Sequence, residues 1–258
     1  MKKIFALILT AAFILAACSP SNVQIRSLDD LENRSIGVQQ GTTGDIYAED
    51  LIDEMGVTLE RFKTGAEAIL SLKQSKIDAV IIDDQPARVF VSQNSDLMIL
   101  DEPFEIEDYA IAVSKDNPTL TAAMNGAIAE LKADGTLKGI LDYYIGQVEG
   151  SAPYKSPEGI TYPNGRLVMA TNAYFPPYEF YEGGQIVGVD PDFARAICDR
   201  MGYELVIEDM DFDTIIVAVQ TGKADFGAAG MSVTEDRLAF IDFTDPYVTA
   251  TQVIIVRK

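Results

Sequence analysis

Along this chain, short apolar runs alternate with stretches in which apolar residues recur every three or four positions. That is the pattern of strands alternating with amphipathic helices. Ser35–Gln39 reads as a strand, and 42–55 as a helix with Ala48, Leu51, Ile52 and Met55 on one face, stopped by Gly56. A strand over 58–62, a helix over 66–73 with Ile69, Leu70 and Leu72, and a buried-type strand over 78–82 complete a βαβαβ unit. The order then returns as strand 167–171, helix 191–201 stopped by Gly202, strand 204–207, helix 213–221 and strand 225–228. The echo reaches single residues: Met55-Gly56 matches Met201-Gly202, and Lys76-Ile77-Asp78-Ala79 matches Lys223-Ala224-Asp225-Phe226. Such alternation gives parallel sheets with right-handed crossovers, so two units predict two similar α/β lobes. A single doubly wound sheet is the competing arrangement.

Between the units lie a strand over 109–115 and a helix bearing Leu120, Ala123, Met124, Ala127, Ile128 and Leu131, ended by Asp134-Gly135. A short helix with Leu137, Ile140, Leu141 and Tyr144 follows, and periodicity is lost over 147–165, a Gly-, Pro- and Ser-containing linker. At the other end, Met1-Lys2-Lys3 precedes an apolar run from Ile4 to Ala17, the form of a secretory leader that takes no part in the fold. Cys18 stands where that run stops, after Leu15-Ala16-Ala17, and is expected to be lipidated as the first mature residue, with Ser19-Pro20-Ser21 as tether. Two acyl chains anchor a protein stably where one is marginal; an ordinary leader with a chance cysteine is the alternative. The expected divisions are therefore 1–17 leader, 18–27 lipidated cysteine and tether, 28–108 first lobe, 109–146 hinge strand and closing helices, 147–165 linker, and 166–258 second lobe.

Composition removes several classes of function. The net charge is −20, with 40 Asp and Glu against 20 Lys and Arg, and becomes −22 once Lys2 and Lys3 leave with the leader. So acidic a body argues against nucleic acid as a partner. Past the leader no apolar run approaches the roughly 20 residues that span a bilayer. The absence of histidine removes the commonest general base and the commonest nitrogen ligand for zinc, and neither a metal nor another cofactor is expected. Beyond Cys18 only Cys198 remains, which leaves no intramolecular disulfide if Cys18 is lipidated.

Ligands of open parallel sheets collect at the carboxyl ends of the strands, so the loops there hold the candidate chemistry. Gln40-Gly41-Thr42-Thr43-Gly44 links a strand to a helix amino terminus, which can receive a carboxylate or serve as an ordinary threonine cap. Asn172-Ala-Tyr-Phe175-Pro-Pro-Tyr178 follows the equivalent strand, and its two prolines would present Phe175 as a stacking surface unless the aromatics fill core. Gly230-Met-Ser232-Val-Thr-Glu-Asp-Arg237 sets an arginine after a small-residue loop, able to clamp a carboxylate bidentately or to sit solvated on the surface.

Taken together these residues resemble a known family. Val168 through Phe180, Gly188-Val-Asp190-Pro-Asp-Phe193, Met210-Asp-Phe212, and Gly230 through Tyr247 are similar to the first lobe of the extracellular solute-binding proteins, family 3, that serve importers of polar amino acids. Ser27-Leu-Asp-Asp-Leu31, Ile36 through Thr43, Lys76-Ile-Asp-Ala79 and Ala129 through Gly135 resemble the family's second lobe and closing helices. The resemblance implies a two-lobed, periplasmic-binding-protein-like type II fold. The lobe order is reversed, as in a circular permutation, with the usual ends joined through 147–165 and one interlobe crossover retained near 109–115.

From the resemblance, Arg237 would bind a ligand α-carboxylate with help from Gly230, Ser232, Thr42 and Thr43. Asp83 would accept the α-ammonium. Phe175 and Phe212 would sandwich the side chain, while Asn172 and Gln39 would face its polar end. A zwitterion needs one buried cation and one buried anion, each unpaired without it. The family implies a monomer that captures a free amino acid outside the cytoplasm, anchored to the membrane by lipid, and hands it to a permease of the ABC class. Glutamine or another neutral polar amino acid comes first, since many members carry Asp at the position of Asn172; arginine or lysine is the alternative. No catalytic residue is expected. The competing functions are a dehydratase built on the same fold and a ligand sensor without import.

Overall fold

The computed structural model describes residues 24–258. The leader, Cys18 and residues 18–23 of the tether lie outside the described residues. The first half of the chain forms β1 (Ser35–Gln39), α1 (Thr43–Met55), β2 (Thr58–Phe62), α2 (Gly65–Lys73), β3 (Ala79–Asp83), α3 (Asp84–Gln93), β4 (Leu97–Ile99), β5 (Glu105–Tyr109), β6 (Ala112–Val113), α4 (Pro118–Ala133) and α5 (Thr136–Tyr144). The second half forms β7 (Arg166–Thr171), β8 (Tyr174–Phe175), β9 (Glu179–Glu182), β10 (Gln185–Val187), α6 (Val189–Met201), β11 (Glu204–Asp209), α7 (Ile215–Gln220), β12 (Phe226–Gly227), α8 (Glu235–Leu238), β13 (Asp242–Phe243) and β14 (Val248–Arg257). The repeated Met-Gly pair is a repeated helix stop: Gly56 and Gly202 each end a thirteen-residue helix in the left-handed conformation that glycine adopts freely.

The strands form two main sheets, ordered β2-β1-β3-β14-β4, with β5 also paired to β14, and β11-β7-β12-β6-β13. In each sheet the parallel strands of one βαβαβ unit come first. An antiparallel strand supplied by the other half of the chain comes next, β14 beside β3 and β6 beside β12. The result is a two-lobed α/β fold of type II, with separate sheets in place of a single doubly wound one. Helices α4 and α5 pack on α6 and so belong to the second lobe.

Two expectations need correction. The segment 166–258 is not one lobe, because β14 leaves it and joins the first sheet. Val253, Ile254, Ile255 and Val256 are all buried, and consecutive apolar residues of this kind need a strand covered on both faces. Consequently two crossovers join the lobes, from β5 to β6 and from β13 to β14, where one was expected. The strand expected over 109–115 is also two strands, β5 ending at Tyr109 and β6 beginning at Ala112, one in each sheet.

The segment 147–165 contains no helix or strand, yet it is fastened along α6. The Tyr154 backbone N–H donates to Asp192 at 2.9 Å and its hydroxyl to Asp199 at 3.0 Å. The Tyr162 hydroxyl donates to Asp199 as well.

Candidate functional site

The carboxyl ends of the two sheets face each other, and a small cavity lies between them. Gln39, Thr42, Thr43 and Asp83 line it from the first lobe, and Asn172, Phe175, Glu179, Phe212, Ala229, Gly230 and Arg237 from the second. Every residue expected at the site from the sequence is therefore gathered in one place except Ser232. That serine stands behind the wall: its hydroxyl donates to Glu107 at 2.7 Å and its carbonyl accepts from Arg237 at 2.7 Å.

The lobes are drawn together over the cavity. The Gln39 amide donates to the Asn172 side-chain oxygen at 2.9 Å, and Arg237 donates to the Gly41 carbonyl at 3.0 Å. At the rim, Lys63 pairs with Asp211 at 3.1 Å and Asp213 at 3.3 Å. Asn172 also donates to the Met210 carbonyl, so its amide is engaged on both sides. The polar pair expected to face a ligand tip instead closes the lobes, and it leaves the Gln39 carbonyl oxygen buried without a partner.

Local sequence explains where the charges sit. Thr234 caps α8 by accepting from the Arg237 backbone N–H, which turns the Arg237 side chain inward to 6% exposure. Its guanidinium donates only to carbonyls, lies 5.5 Å above the Phe212 ring centroid, and makes no ion pair among the described residues. Burial lowers its pKa, partly offset by Glu107 and Asp83. Gly230, at a φ of 52°, passes so close that a Cβ there would meet the Phe175 ring at 3.0 Å. A side chain at this position is disfavoured by crowding against the ring and strained by the left-handed backbone.

Asp83 ends the fully buried strand β3 and accepts a hydrogen bond from the Tyr109 hydroxyl. Burial and then the Glu107 charge push its carboxyl up to about 7. Glu179 was not singled out from the sequence, although it lies inside the motif Phe175-Pro-Pro-Tyr-Glu-Phe180. It opens β9, is 1% exposed, and neither of its carboxyl oxygens has a partner. Burial, followed by the neighbouring Asp190, holds its pKa well above the usual carboxylate range. The lining thus has one cation, two acids, and three buried acceptor atoms without partners, on Gln39 and Glu179.

The chain matches the profile of the bacterial extracellular solute-binding proteins, family 3, over residues 33–147 and 167–258. The arginine-binding extracellular protein ArtP of Bacillus subtilis (strain 168) is 39% identical over 93 residues, 36% of this chain and 36% of that protein. The L-cystine-binding protein TcyJ of Escherichia coli (strain K12) is 29% identical over 123 residues, 47% of this chain and 46% of that protein. A solved structure, an ancestral arginine-binding protein bound to arginine, is 46% identical, covering 33% of this chain and 38% of its own, with a TM-score of 0.32. The probable amino-acid ABC transporter extracellular-binding protein ytmK of Bacillus subtilis covers 87% of this chain and 83% of its own at 10% identity, with a TM-score of 0.47. The aligned stretch spans about a third of the length of the first of these curated relatives.

Proposed function

The chain belongs to the bacterial extracellular solute-binding proteins, family 3, and from that premise we propose that it captures one free cationic amino acid, arginine first, between its lobes. The observation that carries this reading is a buried cation and buried acids that share one cavity without an ion pair among the described residues. Arg237 on the second lobe and Asp83 on the first face one cavity without pairing each other, as the carboxylate and ammonium of an amino acid require. Farther along the lining, the buried side-chain atoms without partners are all acceptors, among them both oxygens of Glu179. A guanidinium brings five donors and a positive charge to such a place. Phe175 and Phe212 would flank the aliphatic part, and Phe212 already carries one guanidinium over its ring.

Glutamine is the second reading. An incoming side-chain amide could exchange partners with the Gln39–Asn172 amide pair, but it brings fewer donors to the two Glu179 oxygens than a guanidinium does. The preference from sequence for a neutral ligand rested on Asn172 alone, and Glu179 shifts it toward a cation. The similarity to ArtP, an arginine-binding extracellular protein, supports the same order.

Ligand binding completes contacts from both lobes and favours the closed arrangement. In this reading the protein works outside the cytoplasm, tethered through Cys18, and passes its ligand to an ABC permease without turnover. Its lobe order is that of a permuted family member, with 147–165 joining the usual ends. Calorimetry with the standard amino acids tests the capture reading. Arginine or lysine binding one-to-one and recovered unchanged supports it; a ligand converted to product, or no binding by any amino acid, overturns it. Uptake of labelled arginine by cells with and without the gene separates import from sensing.

A further inference from the structure

One corner of the cavity has a charge balance that ligand capture alone does not explain. Asp190, in the first turn of α6, is 1% exposed, as is Glu179. The donors of this corner go to Asp190: the Gly230 N–H at 2.7 Å on one oxygen and the Tyr247 hydroxyl at 2.7 Å on the other. Glu179 beside it receives none. The other ionisable groups that reach the pair are acids or phenols: Asp83 from β3, Asp209 from β11, and Tyr178 and Tyr247. Glu107 and Tyr109 of β5 lie beyond Asp83. Arg237, the cation of the lining, is committed to the Ser232 and Gly41 carbonyls and to the Phe212 ring.

Two buried carboxylates side by side with no cation between them cannot both ionise. The donors decide which one keeps its charge. We propose that the Glu179–Asp190 pair holds a single proton in the empty cleft, carried on Glu179, and that a cationic ligand displaces it, making this corner a proton-for-cation exchange site. This rests on the capture reading and adds to it a stoichiometry. The guanidinium N–H groups meet the two Glu179 oxygens, the Glu179 O–H bond breaks, and its proton passes to a buffer base. The ligand arrives with one positive charge and one leaves.

The pKa directions agree with this assignment. Glu179 is raised by burial and then by Asp190, whereas Asp190 is raised by burial only to about 6 because Gly230 and Tyr247 hold its charge. Asp83 gives up its own proton to a buffer base when the α-ammonium of any amino acid binds beside it, so it contributes equally for cationic and neutral ligands. The difference between the two kinds of ligand isolates Glu179.

The experiment is calorimetry on the full chain near neutral pH, with L-arginine and its neutral isostere L-citrulline, each in two buffers of different ionisation enthalpy. Arginine is expected to release one more proton than citrulline, and its Kd to rise up to tenfold more per unit of acidification. In Glu179→Gln the extra proton should vanish from whatever arginine still binds. Equal proton counts for the two ligands in the unaltered protein overturn the exchange while leaving capture intact. Failure of arginine to bind at all sinks the capture reading instead. Infrared difference spectra then judge the pair alone, since a protonated-carboxyl band lost in Glu179→Gln supports the shared proton and its absence from the unaltered protein refutes it.

Discussion

Arg237→Met separates the contribution of the buried cation to binding from its contribution to folding. Methionine keeps much of the length and apolar stem, so packing on Phe212 survives and the charge does not. The guanidinium makes hydrogen bonds to two carbonyls and no ion pair among the described residues. Charged hydrogen bonds are worth about 1.5–3 kcal/mol each, while desolvating an unpaired ion costs several kcal/mol. These opposing quantities nearly cancel, so the ligand-free variant should unfold within about 1–2 kcal/mol of the parent. Binding is different, because a ligand carboxylate would enter a cavity with no cation to meet it. Removing one partner of a buried pair costs about 3–5 kcal/mol, a loss of roughly 10²–10⁴ in affinity. Calorimetric titration with arginine and urea unfolding of the empty protein read the two numbers separately. A Kd within threefold of the parent would show that Arg237 does not face the ligand carboxylate.

Acidity should act on the empty protein in an unusual sense. Asp83 and Asp190 have folded pKa values of about 7 and about 6, raised from 3.8. The folded state therefore holds the extra protons between these limits, and these two groups lower stability as pH rises from about 4 to 7. A thermal midpoint of the ligand-free protein that climbs steadily from pH 5 to 7 would contradict this. Gly188→Ala places a Cβ 2.1 Å from the Tyr178 carbonyl at a φ of 136°. It should cost about 3 kcal/mol or more in a urea titration, with arginine binding weakened as the start of β9 shifts. Lys63→Ser removes exposed interlobe pairs that solvent and salt screen, so the arginine Kd should rise less than tenfold, and less at high salt. A chain reordered to run 157–258 and then 24–156 through a short glycine-serine joint should bind arginine within tenfold of the parent; loss of binding from a folded product would count against the permuted reading.

What the sequence disclosed was local, and what it hid was pairing. The caps at Thr42 and Thr64, the stops at Gly56 and Gly202, and the apolar strand β3 are signals carried by neighbouring residues. Phe175 and Arg237 stand out beside strand and helix ends, whereas Asp83 is assigned to the site only by the family resemblance. The destination of β14 is a different kind of fact, because an apolar strand shows that it will be buried and not beside which partner. Glu179 escaped notice because a single glutamate next to Phe180 reads as the outward position of an alternating strand. Its inward direction depends on the short β8–β9–β10 sheet folding back over α6. The Gln39–Asn172 closure joins residues 133 positions apart and is invisible to any local pattern.

The exchange of strands between the lobes bears on how the cleft can close. Each lobe's antiparallel strand comes from the other half of the chain, so the lobes are tied by two short connections lying side by side at the base of the cavity. The Tyr109 carbonyl accepts from the Tyr247 N–H at 2.9 Å, and the Ala110 N–H donates to the Met231 carbonyl at 3.0 Å. Two parallel tethers resist twisting about the long axis more than one would, and leave opening about the line through both as the soft motion. Along that motion the contacts farthest from the tethers part first. The Lys63 pairs and the Gln39–Asn172 bond can break while Glu107 still holds Ser232 and Gln252 at the base. The buried acids and Arg237 would then meet water at the stage when a ligand must enter, which lowers the cost of their charges until the ligand itself replaces the solvent.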